Sequence, residues 1–477
     1  MARDAAAAAA APLLAMATKP GKQPRNMYAF GCATLASMTA ILMGYNLTLM
    51  SGAQLFIRED LGLSDEQIEV LAGSMNVSML VSILAAGTAA DRLGRRGALV
   101  LANAFLMAGA LAMSLGGGYA ALMAARFVTS IGSGLALVVT SVYNAEISPP
   151  STRGLLSSML DMFVNVGILL SYVSNYAFAG LPVHLGWRVM YAAGVLPPVL
   201  LAAGVLAMPE SPRWLAMRGR YGDARAVLVR TSDTAGEADL RLEEIKHAVE
   251  ASPADGGGGG RSVWRELLLR PSASVRRIVV CVVGLQIFQQ ASGIDSVLLY
   301  SPLVFRKAGM SSDGAVLGAT VAIGLVKTCF ILVPTLLSDR VGRRPLLLAS
   351  TAGVAAALAS LALTLCAGGA AAAASVASVL AVVAAFSVGF GAMVGTYSAE
   401  VLPLRLRAQG ASLATAVNRL TCGVVSMTFI SLAGAITMPG CFFLYAAVAA
   451  AGCAFVYVRL PETRGRSLED MDVLFSK

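Results

Sequence analysis

Apolar stretches of about twenty residues, each bounded by charges, Gly or Pro, recur along the whole 477-residue chain. A hydrocarbon slab about 30 Å thick asks for about 20 apolar residues per helical span, and twelve such stretches can be placed. They begin near Met27, Gln67, Ala98, Ala120, Leu155 and Trp187, and again near Arg277, Gly314, Leu346, Ala371, Gln409 and Met438. Only 13% of the residues are charged, half the roughly 25% of a soluble chain, which excludes a soluble globular enzyme. The sequence predicts an all-α membrane protein of twelve transmembrane helices.

The formal net charge of +9 raises the question of an acidic partner, and the placement of the basic residues answers it. Of 36 Lys and Arg, 29 fall in the tails and even-numbered connections, four (Arg58, Arg188, Arg306, Lys307) in the odd-numbered ones, and Arg126, Lys327 and Arg419 inside spans. That asymmetry places both termini in the cytoplasm, and nucleic-acid binding is not needed to explain it. The seven cysteines form no short pair and the chain has two His, so neither a disulfide framework nor a metal or other cofactor site is expected. The Ala-rich start lacks the net positive charge of a signal peptide and reads as a disordered cytoplasmic tail.

The chain is written twice. Asp91-Arg92-Leu93-Gly94-Arg95-Arg96 returns 248 residues later as Asp339-Arg340-Val341-Gly342-Arg343-Arg344. Glu146 with Arg153 returns as Glu400 with Arg407, and Pro209-Glu210-Ser211 as Pro461-Glu462-Thr463, at offsets of 254 and 252. Three motifs in one order at nearly one offset predict two six-helix halves related by duplication. The expected organisation is a tail over 1–26, halves over 27–207 and 277–459, a cytoplasmic linker over 208–276 and a tail over 460–477. Short amphipathic helices are expected at Arg218 to Val229 and Ala238 to Ala251, ahead of the flexible run Gly256 to Gly260.

Polar side chains near mid-span are costly and face a cavity or one another. Asp161 and Asn165 share one face of span five; Gln286, Gln289 and Gln290 share one face of span seven; Asp295 follows and Asn418 lies in span eleven. Converging amides and carboxylates suit a ligand of many hydroxyls, a sugar or sugar alcohol. The competing reading is that the amides join helices without touching a ligand.

Together, the paired D-R-x-G-R-R motifs, the E-x6-R repeats, Pro209-Glu210-Ser211-Pro212-Arg213-Trp214 and Gln289-Gln290-Ala291-Ser292-Gly293-Ile294-Asp295 resemble the sugar porters of the major facilitator superfamily. Gly293-Ile294-Asp295, Val326-Lys327-Thr328, Val417-Asn418-Arg419 and Leu468-Glu469-Asp470-Met471-Asp472 resemble the plant polyol/monosaccharide transporters among them. The resemblance implies transport of a small polyol or monosaccharide by alternating access in a lipid bilayer, the plasma membrane before the vacuolar one. It implies substrate contacts at Asp161, Gln289, Gln290, Asp295 and Asn418. It further implies a salt-bridge network closing the cytoplasmic side in the outward-open state, from Asp91, Arg92, Arg95, Glu146 and Arg153 with Asp339, Arg340, Arg343, Glu400 and Arg407.

Departures from the family pattern leave the energy source open. Proton-linked members carry Gly-Tyr-Asp in span one, paired with an Arg of span four. Here the triplet is Gly44-Tyr45-Asn46, while Arg126 remains. An amide does not titrate, which favours a facilitative carrier, whereas family membership favours proton symport. Asp161 either pairs with Arg126 and takes over coupling, or only hydrogen-bonds a polyol. Span ten has Gly391-Ala392 and Gly395 where the family expects Gly-Pro and Trp, predicting a lost hinge and a lost stacking wall. A sensor that kept the fold without transport is the alternative of another class; no catalytic set commends an enzyme.

Overall fold

The computed structural model describes residues 26–149, 153–250, 271–367, 372–402 and 406–463. Among the described residues the chain forms helices and no strand. α1 (Met27–Leu61) crosses once. α2 (Asp65–Leu115) runs for 51 residues, about 76 Å at about 1.5 Å per residue, enough for two crossings. It breaks at Gly94, so it supplies spans two and three. α3 (Tyr119–Ile147) and α4 (Arg153–Phe178) follow, and α5 (Val183–Ala193) with α6 (Leu196–Ala207) completes the sixth span.

Beyond it, α7 (Pro212–Met217), α8 (Tyr221–Thr231) and α9 (Ala235–Glu250) pack around Leu215, Ala224, Leu228 and Leu242. Two of these match the amphipathic stretches to within a few residues. α7 was not anticipated; the Ser211 hydroxyl caps it and Pro212 opens it. The Gly256 to Gly260 run lies outside the described residues.

In the second half α10 (Ala273–Ala291) and α11 (Ile294–Lys307) form span seven, and α12 (Asp313–Phe330) with α13 (Leu332–Val341) span eight. α14 (Arg343–Cys366) is span nine, and α15 (Ala372–Val388) with α16 (Phe390–Val401) span ten. α17 (Arg407–Ser426) and α18 (Phe429–Ile436), bent by 47°, form span eleven, and α19 (Met438–Arg459) span twelve. An even number of crossings returns the chain to the side it left, called here the terminal side. The opposite side is the far side.

One expectation changes at the broken spans. Span ten keeps its break despite the missing Pro: the helix stops at Gly389, with φ −144° and ψ −67°, and the freed Phe390 N–H donates to the Ser350 hydroxyl at 2.8 Å. Glycine supplies the break three residues before the position where proline was expected. In span seven, Pro302 removes the N–H that would bond the Leu298 carbonyl four residues earlier. That carbonyl instead accepts the hydroxyls of Ser51 (3.0 Å) and Tyr172 (2.9 Å) from the other half.

These bonds belong to a seal between the halves on the far side. Gln54 donates to the Leu299 carbonyl at 2.9 Å. Glu69, 1% exposed near the start of α2, accepts the Ile430 and Ser431 N–H groups and the Ser431 hydroxyl. A carboxylate at the first turn of α18 satisfies donors that a helix start leaves unpaired, and here the donors belong to the opposite half.

The terminal side carries the duplicated corners. Gly94 (φ 83°) and Gly342 (φ 101°) turn the chain where L side chains are strained. Arg95 N–H donates to Glu210 at 2.9 Å, and Arg343 N–H to Glu462 at 3.0 Å. A Cβ on Gly94 would stand 2.3 Å from the Glu210 carboxylate. Above each corner an Arg–Glu pair closes: Arg95 to Glu146 at 2.9 Å, Arg343 to Glu400 at 2.9 Å. Ser211 and Thr463 complete the second coordination of Glu146 and Glu400.

Two outcomes follow from this packing. Gly94→Ala adds both backbone strain and a carboxylate clash, so it costs about 1–3 kcal/mol, read as earlier thermal unfolding of the detergent-purified chain, whereas Gly87→Ala, in open space, leaves unfolding unchanged. Glu69→Gln leaves one carbonyl oxygen for donors that now share a carboxylate. It is expected to raise thiol labelling of Ser51→Cys from the far side about tenfold, equivalent to about 1.4 kcal/mol.

Candidate functional site

Between the halves lies a cavity of about 30 Å³, lined by Leu47, Thr48, Ala72, Asn76 and Ile168 from the first half and Asp295, Leu298, Leu299, Lys327 and Ser426 from the second. Asp295 reaches it because span seven is interrupted at Ser292 and Gly293. The φ of 77° at Gly293 restarts the helix, and its missing Cβ admits the Tyr445 ring. The volume is about that of one water probe, so a six-carbon polyol enters only when the halves move apart. The Pro302 bonds and the Glu69 latch close the cavity from the far side.

The sequence singled out Asp295 here and missed Thr48, Asn76, Lys327 and Ser426 as neighbours. Lys327 was visible as an ionisable group inside a span, a signal that points to a cavity. Asp295 accepts the Cys422 thiol at 2.7 Å. Arg419 of α17 crosses to the first half and donates to the Asn76 amide oxygen at 3.3 Å. Thr48 pairs with Ser171 at 2.6 Å.

One turn away, the amides come together and bond mainly to each other. Asn418 donates to Gln286 and to Gln289, both at 2.8 Å, and Gln290 donates to Asn418 at 3.3 Å. Gln289 also donates to the Phe390 carbonyl, whose helix begins after the Gly389 break. The cluster ties α10 to α16 and α17, as the helix-joining reading expects. The Gln290 carbonyl oxygen remains buried without a partner, an acceptor still open for a hydroxyl.

The first half corrects one expectation. Arg126, 1% exposed, donates to the carbonyls of Leu71 (3.2 Å), Asn46 (3.1 Å) and Ala72 (2.9 Å). No carboxylate pairs with it among the described residues. Asp161 does not, because the two sit at different depths: Arg126 lies seven residues inside the far-side end of α3 and Asp161 eight residues inside the terminal-side end of α4, each about 10–12 Å from that helix end at about 1.5 Å per residue. The Asn46 amide turns back to the Leu42 carbonyl at 2.9 Å. The main-chain carbonyl of Asn165, one turn from Asp161, accepts the Thr328 hydroxyl of the second half at 3.4 Å. Asp161 itself is exposed.

Of the candidate gating residues, Asp91, Arg95, Glu146, Arg343 and Glu400 make their ion pairs within a half. Arg92 and Arg340 are exposed, and the side chains of Arg153, Asp339 and Arg407 lie outside the described residues. Gly395 faces open space, with nothing within 4 Å of a Cβ placed there.

A family model described as "Sugar (and other) transporter" matches residues 32–475. Polyol transporter 5 of Arabidopsis thaliana is 50% identical over 96% of this chain and 88% of its own length. The glucose transporter GlcP of Staphylococcus epidermidis is 31% identical over 92% and 95%. Among solved structures, a partially occluded inward-open form of the xylose transporter XylE from E. coli superposes with a TM-score of 0.79 at 25% identity, covering 92% of this chain and all of that one. The proton:xylose symporter XylE bound to 6-bromo-6-deoxy-D-glucose gives 0.77 at 26%, covering 95% and 100%. With its duplicated corners, its twelve spans and a cavity between the halves, the chain belongs to the sugar transporter family of the major facilitator superfamily, close to the plant polyol transporters, and is a transporter rather than an enzyme.

Proposed function

We propose that the chain carries a linear polyol, and less readily a monosaccharide, across the plasma membrane together with a proton, with both termini in the cytoplasm. The observation that carries this reading is the cavity between the halves, lined by Thr48, Asn76, Asp295, Lys327 and Ser426 and sealed from the far side. Hydroxyl, amide and charged groups on opposing walls match a ligand whose every carbon bears a group that both donates and accepts. The relatives named for polyol transport and the symporter named for protons and xylose support the substrate class and the coupling. The open space at Gly395 offers no aromatic face for a sugar ring, which favours an open-chain ligand.

In this reading Asp295, Gln289, Gln290 and Asn418 contact the polyol when the halves part, the orphaned Gln290 oxygen accepting a hydroxyl. Asp161 meets it on the terminal side. The Arg–Glu corners hold each half rigid here and exchange partners across the terminal side in the outward-open form. The concentration of Lys and Arg on that side supports its being cytoplasmic.

Reconstituted vesicles test the reading. Vesicles preloaded with unlabelled sorbitol are expected to take up labelled sorbitol by counterflow without any gradient, at least tenfold above protein-free vesicles, with glucose competing less well. Absence of counterflow for sorbitol, mannitol, inositol, xylose and glucose alike would overturn it. Asp295→Asn is expected to raise the half-saturating polyol concentration about tenfold, the weight of one charge-assisted hydrogen bond at about 1.5–3 kcal/mol.

A further inference from the structure

The coupling position of span one holds an amide, and Arg126 is satisfied by carbonyls, so the proton of a symporter needs another carrier. The cavity provides an unusual group of charges. Asp295 and Lys327 both line it without forming an ion pair, and the Lys327 ammonium has no hydrogen-bond or ion-pair partner among the described residues. Arg419 follows Asn418, one turn before Cys422, whose thiol binds Asp295; it is anchored through one nitrogen to Asn76 while its Nε is buried and unpartnered. With all three ionised, the group holds two positive charges against one negative, a net charge of one near the middle of the bilayer.

The elements packed around Lys327 do not neutralise it. α11 brings Asp295. α17 brings Arg419 and Cys422. α4 brings Tyr172, which bonds the Leu298 carbonyl, and Asp161, a turn beyond Asn165 and exposed. α15 has no ionisable residue, and α1 and α2 face the cavity with Leu47, Thr48, Ala72 and Asn76. An uncompensated charge in hydrocarbon is expensive. Arginine does not give up its proton, whereas lysine does so readily when buried.

We propose that Lys327 carries the coupling proton, with Asp295 as the counter-charge that holds its ammonium form in the loaded carrier. This rests on the polyol-transport reading above and names its coupling group. A proton entering from the far side with the polyol binds the Lys327 amine, and the resulting ammonium pairs with Asp295. Opening to the terminal side hydrates the pair, and the proton leaves to water after the polyol. The neutral lysine leaves Asp295 and Arg419 balanced, so the empty carrier reorients with no net charge in its core.

The experiment uses the full chain in proteoliposomes with two readouts, sorbitol counterflow without a gradient and sorbitol accumulation driven by a one-unit pH gradient, acid on the far side. For one proton per polyol such a gradient supports up to about tenfold accumulation. Lys327→Gln, which does not titrate, and Lys327→Arg, which keeps the charge but does not release it, alter a wall of the polyol cavity, so counterflow is expected to weaken in both but to remain measurable above protein-free vesicles. Both are expected to lower accumulation to about onefold, and counterflow of Lys327→Gln becomes independent of pH. Accumulation retained in either variant overturns the proposal, as does gradient-independent uptake by the unaltered chain. Loss of counterflow in both variants at normal protein level overturns it too, by making Lys327 a structural or substrate-binding group. A failure of polyol transport itself shows separately, as absent counterflow in the unaltered chain.

Discussion

Charge and hydrogen-bonding capacity have to be settled inside the protein wherever the chain crosses lipid, and this constraint organises every functional feature of the molecule. Arg126 is held by three main-chain carbonyls. Glu69 finds the open start of a helix in the opposite half. The carbonyl stranded by Pro302 is taken up by two hydroxyls from across the interface. Each solution joins separate elements, so the points where a single helix fails to satisfy itself become the points where the bundle is fastened.

The same constraint separates the two sides. On the far side the fastenings run between the halves, through Ser51, Gln54, Glu69 and Tyr172. On the terminal side the strong pairs run within each half, Arg95 with Glu146 and Arg343 with Glu400, each underpinned by a glutamate from the segment after the last span of that half. The halves are thus rigid at one end and clasped at the other. Such an arrangement lets them rock about the cavity without either half being rebuilt.

Much of this was legible in the sequence. Spans follow from length and apolarity, and the duplication is written in three motifs whose geometry recurs in both halves, down to Gly94 facing Glu210 and Gly342 facing Glu462. Gln289 and Gln290 were recognised by spacing and Asn418 by its place inside span eleven, and they do come together. What spacing did not reveal is depth and partner choice. Asp161 and Arg126 look like natural counter-charges in a list of intramembrane ions, yet helices of opposite direction carry them to different levels. Glu69 sits close to a span boundary, where a carboxylate reads as ordinary solvated charge, and only the fold brings α18 onto it. The break of span ten survives without proline because Gly389 supplies it, a substitution that composition alone does not distinguish from a continuous helix.

The central claim is that one polar cavity between the halves is reached in turn from the two sides and is occupied by polyol. Its most direct test is Thr48→Cys in a chain whose seven cysteines are replaced by serine, exposed to a membrane-impermeant thiol reagent from either face of sealed vesicles. The account predicts labelling from both faces during turnover and protection by sorbitol from both. Labelling from one face alone, or labelling that sorbitol leaves unchanged, would contradict it.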